Sequence, residues 1–318
     1  MNTPNLFDFA TSELSQDAVL AWLISWADDE YKDNSLSLIG KKFLSLLTNI
    51  PAEAIHTVKA GRQWEHIDVW VEVNENTFLV IEDKTSTTHH GTQLEDYANV
   101  AYDYYKGKRD NIVLTYIKTG NEPQYLLKNI EETGYKTFSR GDILKVLNTY
   151  ENNNAILCDF RNYLQEIEDS TNRYLDLPMA DWDSYAWQGF YMKLNESLPD
   201  LEWGYVPNQT GGFWGAWFNS KSNAEVDMYL QFEENKLCFK ISVEDPDMRR
   251  ELREKYYTKL MELTTDDTIQ KPDRFGCGNF MTIAVAVPPF LKEGKIDLQV
   301  VLKTLEEYSH IIERCLHE

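Results

Sequence analysis

The chain has 318 residues, more than one average domain holds, and its 42% hydrophobic and 13% aromatic content is enough for two substantial cores. Its 31 Lys and Arg face 52 Asp and Glu, a net charge of −21 spread over both halves, which excludes a basic nucleic-acid arm and makes affinity for bulk duplex weak. The opening Met-Asn-Thr-Pro-Asn-Leu-Phe has neither a basic nor an apolar leader segment, no apolar run is long enough to span a membrane, and Cys158, Cys238, Cys277 and Cys315 form no Cys-x-x-Cys pair. The expectation is a cytoplasmic protein with reduced thiols, no membrane partner and no structural zinc.

In chain order, Thr11–Ala27 reads as a helix whose Leu14, Leu20, Leu23 and Trp26 should pack on a sheet, and Leu36–Leu47 as a second helix. Strands follow at Ile55–Lys59, Ile67–Val73 and Phe78–Lys84, the last two joined by Asn74-Glu75-Asn76 as a hairpin. A polar loop from Thr85 to Thr92 precedes a helix at Gln93–Lys106 and a strand at Ile112–Lys118. Tyr135–Tyr150 supplies a short strand and a helix, and Ala155–Ile167 another helix. The polar stretch Glu168–Leu177 before Pro178 marks a boundary, giving domains of residues 1–174 and 175–318. Beyond it lie a helix at Trp182–Ser197 and strands at Trp203–Val206, Phe213–Phe218, Ala224–Phe232 and Lys236–Val243. Turns at Gln209-Thr-Gly-Gly, Asn219-Ser-Lys-Ser and Glu233-Glu-Asn make these an antiparallel meander. A helix at Asp247–Leu263, a strand at Phe280–Val287 and a helix at Leu298–Leu316 complete an α+β unit. Its tryptophans serve either a core or base stacking.

The Ile67–Lys84 hairpin carries the chemistry. Period two puts Glu82 and Lys84 on one face of the second strand, and a three-residue loop pairs Val73 with Thr77, so Asp68 falls opposite Glu82. Two carboxylates roughly 5 Å apart at Cβ repel unless a cation joins them, and a hard divalent metal is the natural candidate. A surface ion pair between Glu82 and Lys84 is the alternative. Against it, the preceding Phe78-Leu-Val-Ile reads as a buried central strand, where charges are costly unless used. Gln93 and Tyr97 lie one helical turn apart and can face the same side, although a Tyr at that spacing also serves packing.

Asp68, Glu82-x-Lys84 and Gln93-x-x-x-Tyr97, in this order, resemble the PD-(D/E)XK nuclease superfamily, in particular its bacterial branch with a Gln-x-x-x-Tyr helix after the Glu-x-Lys strand. Ile67 stands where the family name has Pro, which leaves the ligand in place. The resemblance covers the chain to about Glu168. It implies an α/β fold: a restriction-endonuclease-like core (αβββαβ), here followed by an α+β domain with an antiparallel sheet. It also implies that Asp68, Glu82 and the backbone carbonyl of Asp83 bind Mg²⁺ or Mn²⁺ and that Lys84 orients or activates the attacking water. Glu13 matches an acidic residue often found at the start of the first helix, where interaction with the helix dipole is its other reading. Tyr97, Arg62 and His89 are candidate substrate contacts.

The function so implied is a metal-dependent nuclease acting on DNA, in bacterial defence or restriction. The even acidity suits an enzyme gated or recruited by a partner, and the second half is open to a protein partner, an activating ligand or homodimerisation. The competing class is a non-catalytic interaction or ligand-sensing module on a nuclease-like scaffold. Of the basic residues, Lys59, Arg62, Lys106, Lys108, Arg109, Arg249, Arg250 and Arg253 form short local groups, a pattern equally common on solvated faces.

Overall fold

The computed structural model describes residues 4–87, 91–105, 111–208, 211–234, 236–291 and 294–317, and the chain divides into two compact units, Met1–Asp169 and Ser170–Glu318. The first is an α/β unit of the expected class. Helices α1 (Glu13–Ser25) and α2 (Ser35–Thr48) lead into strands β1 (Val58–Trp64), β2 (Ile67–Val73) and β3 (Thr77–Lys84). Then come α3 (Gln93–Tyr104), β4 (Ile112–Lys118), α4 (Gln124–Glu132), β5 (Lys136–Ser139), α5 (Arg140–Leu147) and α6 (Ala155–Asn172). The sheet order is β1-β2-β3-β4-β5, antiparallel from β1 to β3 and parallel from β3 to β5. β3 is therefore central, and Phe78 through Lys84 are all buried.

The β2–β3 hairpin has the expected register. Asn74 and Glu75 take left-handed φ of 51° and 57°, and Val73 pairs with Thr77. The preceding strand begins later than its apolar pattern suggests, at Val58 rather than Ile55. The amides of His56 and Thr57 are taken by the Asn74 side chain and that of Val58 by Asp28, so pairing starts only where β2 offers a partner. The strand then runs on through polar Arg62-Gln63-Trp64, tolerated at a sheet edge, and turns at Glu65-His66 with φ of 49° and 70°. Helix α4, which the pattern does not announce, follows from topology: β4 and β5 are parallel, and a parallel pair needs a crossover.

Two apolar layers flank the sheet. Leu20, Leu23, Phe43, Val71, Leu79 and Ile81 belong to one; Phe78, Val80, Leu94, Ala101, Tyr116 and Ile130 belong to the other, beneath α3. Each buried Leu, Ile, Val or Phe among them contributes about 1.5–3 kcal/mol. Helix α1 is rotated from its expected face: Leu14 is 56% exposed, whereas Gln16 and Asp17 are buried with Leu20 and Leu23.

The second unit contains α7 (Ser184–Asn195), β6 (Glu202–Asn208), β7 (Gly211–Ser222), β8 (Asp227–Glu233), β9 (Leu237–Ser242), α8 (Arg249–Leu263), β10 (Ile269–Gln270), β11 (Phe280–Ala286) and α9 (Leu298–His317). Its sheet is antiparallel throughout, in the order β10-β11-β9-β8-β7-β6. Asn219 marks an irregularity inside β7 rather than the turn expected there. With φ of 55° it sits where the register slips between Phe218 and Lys221, and the chain turns only after Ser222. Trp182, Trp187 and Trp203 are buried in the core, but Trp214 and Trp217 are only partly covered. Among the described residues no helix is long and apolar enough to cross a membrane.

Candidate active site at the end of the central strand

Continuing the Val69↔Ile81 register by one pair sets Asp68 opposite Glu82, and the backbone N–H of Asp83 donates to Asp68 Oδ2 at 3.1 Å. Lys84, one pleat further on, bends its ammonium back among the carboxylates. It contacts Glu82 Oε1 directly, lies 3.6 Å from Asp68 Oδ2 and 3.9 Å from Glu13 Oε2, and donates to the Asp83 carbonyl at 3.3 Å. Glu82 is fully buried and Lys84 nearly so, which rules out the solvated surface pair.

The electrostatics are strained in one direction. Burial, and then the neighbouring Asp68 carboxylate, push the Glu82 carboxyl up to about 8, against the lowering effect of Lys84. Burial disfavours the Lys84 charge, but Glu82, Asp68 and Glu13 outweigh it and raise its pKa, so the ammonium stays protonated. Three carboxyl groups share one ammonium, so once Glu82 ionises the cluster is short of positive charge. Glu82 Oε2, wholly buried, receives no hydrogen bond among the described residues.

Neighbouring elements hold this end of β3 in place. Glu13, the first residue of α1, takes the Thr85 N–H at 3.2 Å and the Thr87 hydroxyl at 2.5 Å, tying down the loop after Lys84. Lys118, at the end of β4 beside Lys84, is 3% exposed, pairs with Glu122 at 2.7 Å and donates to the Thr87 carbonyl. Because β3 and β4 are parallel, the chain between them must cross over the sheet, and it does so as α3, over the face that bears Glu82. There Gln93 donates to the Tyr97 hydroxyl at 3.0 Å, and the Tyr97 ring packs against the apolar layer of that face, where burial, and further the Glu82 and Asp68 charges, raise its pKa.

The expected substrate contacts fare unequally. Arg62 gives Nη1 to the Leu14 carbonyl at 2.8 Å, anchoring β1 to the start of α1. His89 lies outside the described residues, as do Lys106, Lys108 and Arg109. Lys59 lies over the Trp70 ring, and Arg249 and Arg253 are spent on backbone carbonyls.

A second polar layer escaped the sequence reading. On the opposite face of β3 the Asp83 side chain, fully buried, accepts from Gln16 Nε2 at 2.7 Å, and Gln16 Oε1 accepts from Thr119 Oγ1 at 2.9 Å. Burial, then Asp68, push Asp17 up to about 6, and burial raises Asp83 well above the usual carboxylate range. Asp17, also buried, raises the Asp83 carboxyl further by its charge. Gln63, held at a left-handed φ of 54° where β1 breaks its pairing, offers Nε2 to Asp17 Oδ2 and Asp68 Oδ1, each at 3.4 Å, joining the two layers. The available signal was Glu13, Gln16 and Asp17 at i, i+3, i+4, a polar stripe on a helix otherwise suited to pack on a sheet.

Asp68, Glu82 and the Asp83 carbonyl form an all-oxygen donor set with one buried, unsatisfied carboxylate oxygen, which fits a hard divalent cation such as Mg²⁺ or Mn²⁺. No cluster of three or more His, Cys, Asp or Glu side chains suited to a metal occurs among the described residues. No curated protein and no solved structure matches the chain significantly. The sequence model of the PD-(D/E)XK nuclease superfamily matches residues 4–175, the whole segment that builds this sheet and its charged strand end, and the chain belongs to that superfamily.

Proposed function

We propose that the chain is a divalent-metal-dependent nuclease that hydrolyses DNA phosphodiester bonds at the Asp68–Glu82–Lys84 cluster. The observation that carries this reading is the convergence, at the end of a buried central strand, of two carboxylates and a lysine whose only common purpose is ionic. Asp68, Glu82 and the Asp83 carbonyl would hold Mg²⁺ or Mn²⁺, which when bound supplies Lewis-acid stabilisation of charge on the phosphoryl oxygens. Lys84, kept charged by its neighbours, orients the attacking water. Glu13 acts at one remove, fixing the Thr85–Thr87 loop, while Gln93 and Tyr97 border the approach to the cluster and meet the substrate. The net charge of −21 favours recruitment to DNA by a partner over free scanning.

Cleavage of supercoiled plasmid in Mg²⁺ or Mn²⁺, compared with EDTA, tests the reading. The expected outcome is metal-dependent nicking that Lys84→Ala and Glu82→Ala each reduce by about 10³-fold or more while far-UV circular dichroism shows the chain still folded. Undiminished activity in EDTA would overturn it. The non-catalytic alternative draws its support from the acidity alone and predicts no Mg²⁺- or Mn²⁺-dependent rise in melting temperature.

A further inference from the structure

Helices α7, α8 and α9 pack on one face of the second unit's sheet, burying Leu230, Phe239, Ile241 and their neighbours. The opposite face, across β6 to β9 and the start of β11, carries a hollow of about 750 Å³, within the range of sites for small ligands. Strand register builds it in rows: Glu202, Trp217 and Gln231 in one, Tyr229 and Lys240 in the next, Asp227, Ser242 and Phe280 in the third. A solvated sheet face is ordinarily polar. Here Trp217, Tyr229 and Phe280 line the hollow, and Phe280 leaves 65% of its surface open.

The polar groups of the hollow are mostly acceptors. Asp200, Glu202 and Asp227 contribute three carboxylates. Each uses one oxygen within the protein, for the Asn219 amide at 2.9 Å, the Trp217 indole N–H at 3.0 Å and the Ser222 hydroxyl at 2.5 Å respectively. Gln231, only 6% exposed, donates its amide to Glu233 at 3.3 Å, and its carbonyl oxygen meets no donor among the described residues. Lys240, the one cation among the described lining residues, pairs with Glu233 at 3.0 Å, a carboxylate that Lys236 shares at 3.1 Å, and the three carboxylates outnumber it. Such a site repels phosphates. It suits a group that is positively charged, rich in N–H and able to lie on aromatic faces.

We propose that this hollow binds an organic cation bearing an alkylammonium or guanidinium group, with Phe280, Tyr229 and Trp217 taking its charge on their rings and the carboxylates and Gln231 taking its N–H donors. The proposal is independent of the nuclease reading, since every residue it uses lies in the second unit.

Calorimetric titration of the full chain tests it, with agmatine and spermidine as free cations, an Arg- and Lys-containing peptide as the polypeptide source, and AMP as the anionic counter-probe. Saturable binding of a free cation or of the peptide is expected, and the stronger of the two identifies the source. Phe280→Ala and Asp227→Asn, both at accessible side chains, should each weaken it by about tenfold, as loss of a cation–π contact or a charged hydrogen bond does. Glu306→Gln, an exposed carboxylate on α9, should leave it unchanged. No saturation up to about 10 mM, well above the millimolar limit of weak specific binding, would overturn the proposal. So would equal loss in all three variants, which marks diffuse attraction to an acidic protein, or tighter binding of AMP than of any cation.

Discussion

Glu82 carries the cluster's clearest pH signature. Its folded carboxyl titrates near 8, against 4.5 for an ordinary Glu, so between those values the folded chain keeps a proton that the unfolded chain has released. Its stabilising contribution is whole below pH 4.5 and is lost as pH rises through 8. Asp17 has the same sign but is spent by about 6, and buried Asp83 shares the sign, so the difference between wild type and a Glu82 variant, not the pH range alone, isolates Glu82. In EDTA the melting transition of the first unit should therefore fall as pH is raised over that range. Glu82→Gln should flatten the slope and melt higher at pH 8, by roughly 2–4 °C for each kcal/mol recovered. An unchanged slope in the variant would assign the titration elsewhere. At this scale Asp68, Glu82 and Lys84 were legible because alternation and loop length are local rules. Asp17 and the Asp83 side chain were not. A carboxyl becomes unusual only through what buries it, and here that is α1, more than sixty residues away along the chain from Asp83.

Among the elements, the loop after β3 depends on a close backbone approach. Gly120, just beyond β4, donates its N–H to the Thr85 carbonyl at 3.1 Å, and a Cβ there would stand 2.1 Å from that oxygen. Gly120→Ala must push Thr85 away and with it the Thr85–Thr87 segment that Glu13 and Lys118 grip. The expected cost is about 1–3 kcal/mol of stability together with a loss of cleavage of about 10²-fold, since small displacements near reacting groups are expensive. Melting and cleavage rates measured side by side decide it, and wild-type values in both would show that the loop tolerates the shift. The β2–β3 hairpin was legible as an element because its pattern and turn residues agree. The β1–β2 turn was missed because it uses Glu65 and His66, not the Asn or Gly that usually announce positive φ. Helix α4 is amphipathic but short, and the need for it becomes visible only once β4 and β5 are known to be parallel.

For the whole molecule, the family match over residues 4–175 and the apolar layers of the first sheet place all the proposed catalytic residues within one half of the chain. A fragment of residues 1–176 should be soluble and retain a Mg²⁺-dependent rise in melting temperature, while binding to the hollow of the second sheet is lost with the deleted half. Differential scanning of the fragment with and without Mg²⁺ checks this. An insoluble fragment would mean that the two halves stabilise one another. The charge of −21 was readable at once, and it bears on recruitment rather than on fold.

The sequence by itself determined the helices and strands that frame the charged hairpin, the face shared by Asp68, Glu82 and Lys84, and the family, because periodicity and turn length act over a few residues and leave a pattern in the chain. The tertiary structure decided what that face is made of energetically. It brought Glu13 to Thr85 and Thr87, Gln16 to Asp83, and Lys118 to Thr87, contacts spanning 31 to 74 residues, and it withdrew Glu82 from water. It also decided the acceptor-rich hollow on the second sheet, whose rows combine residues from β6 through β11. Such contacts have no sequence period: they exist only where packing has already fixed two distant segments side by side, and burial there is what turns ordinary carboxylates into a site.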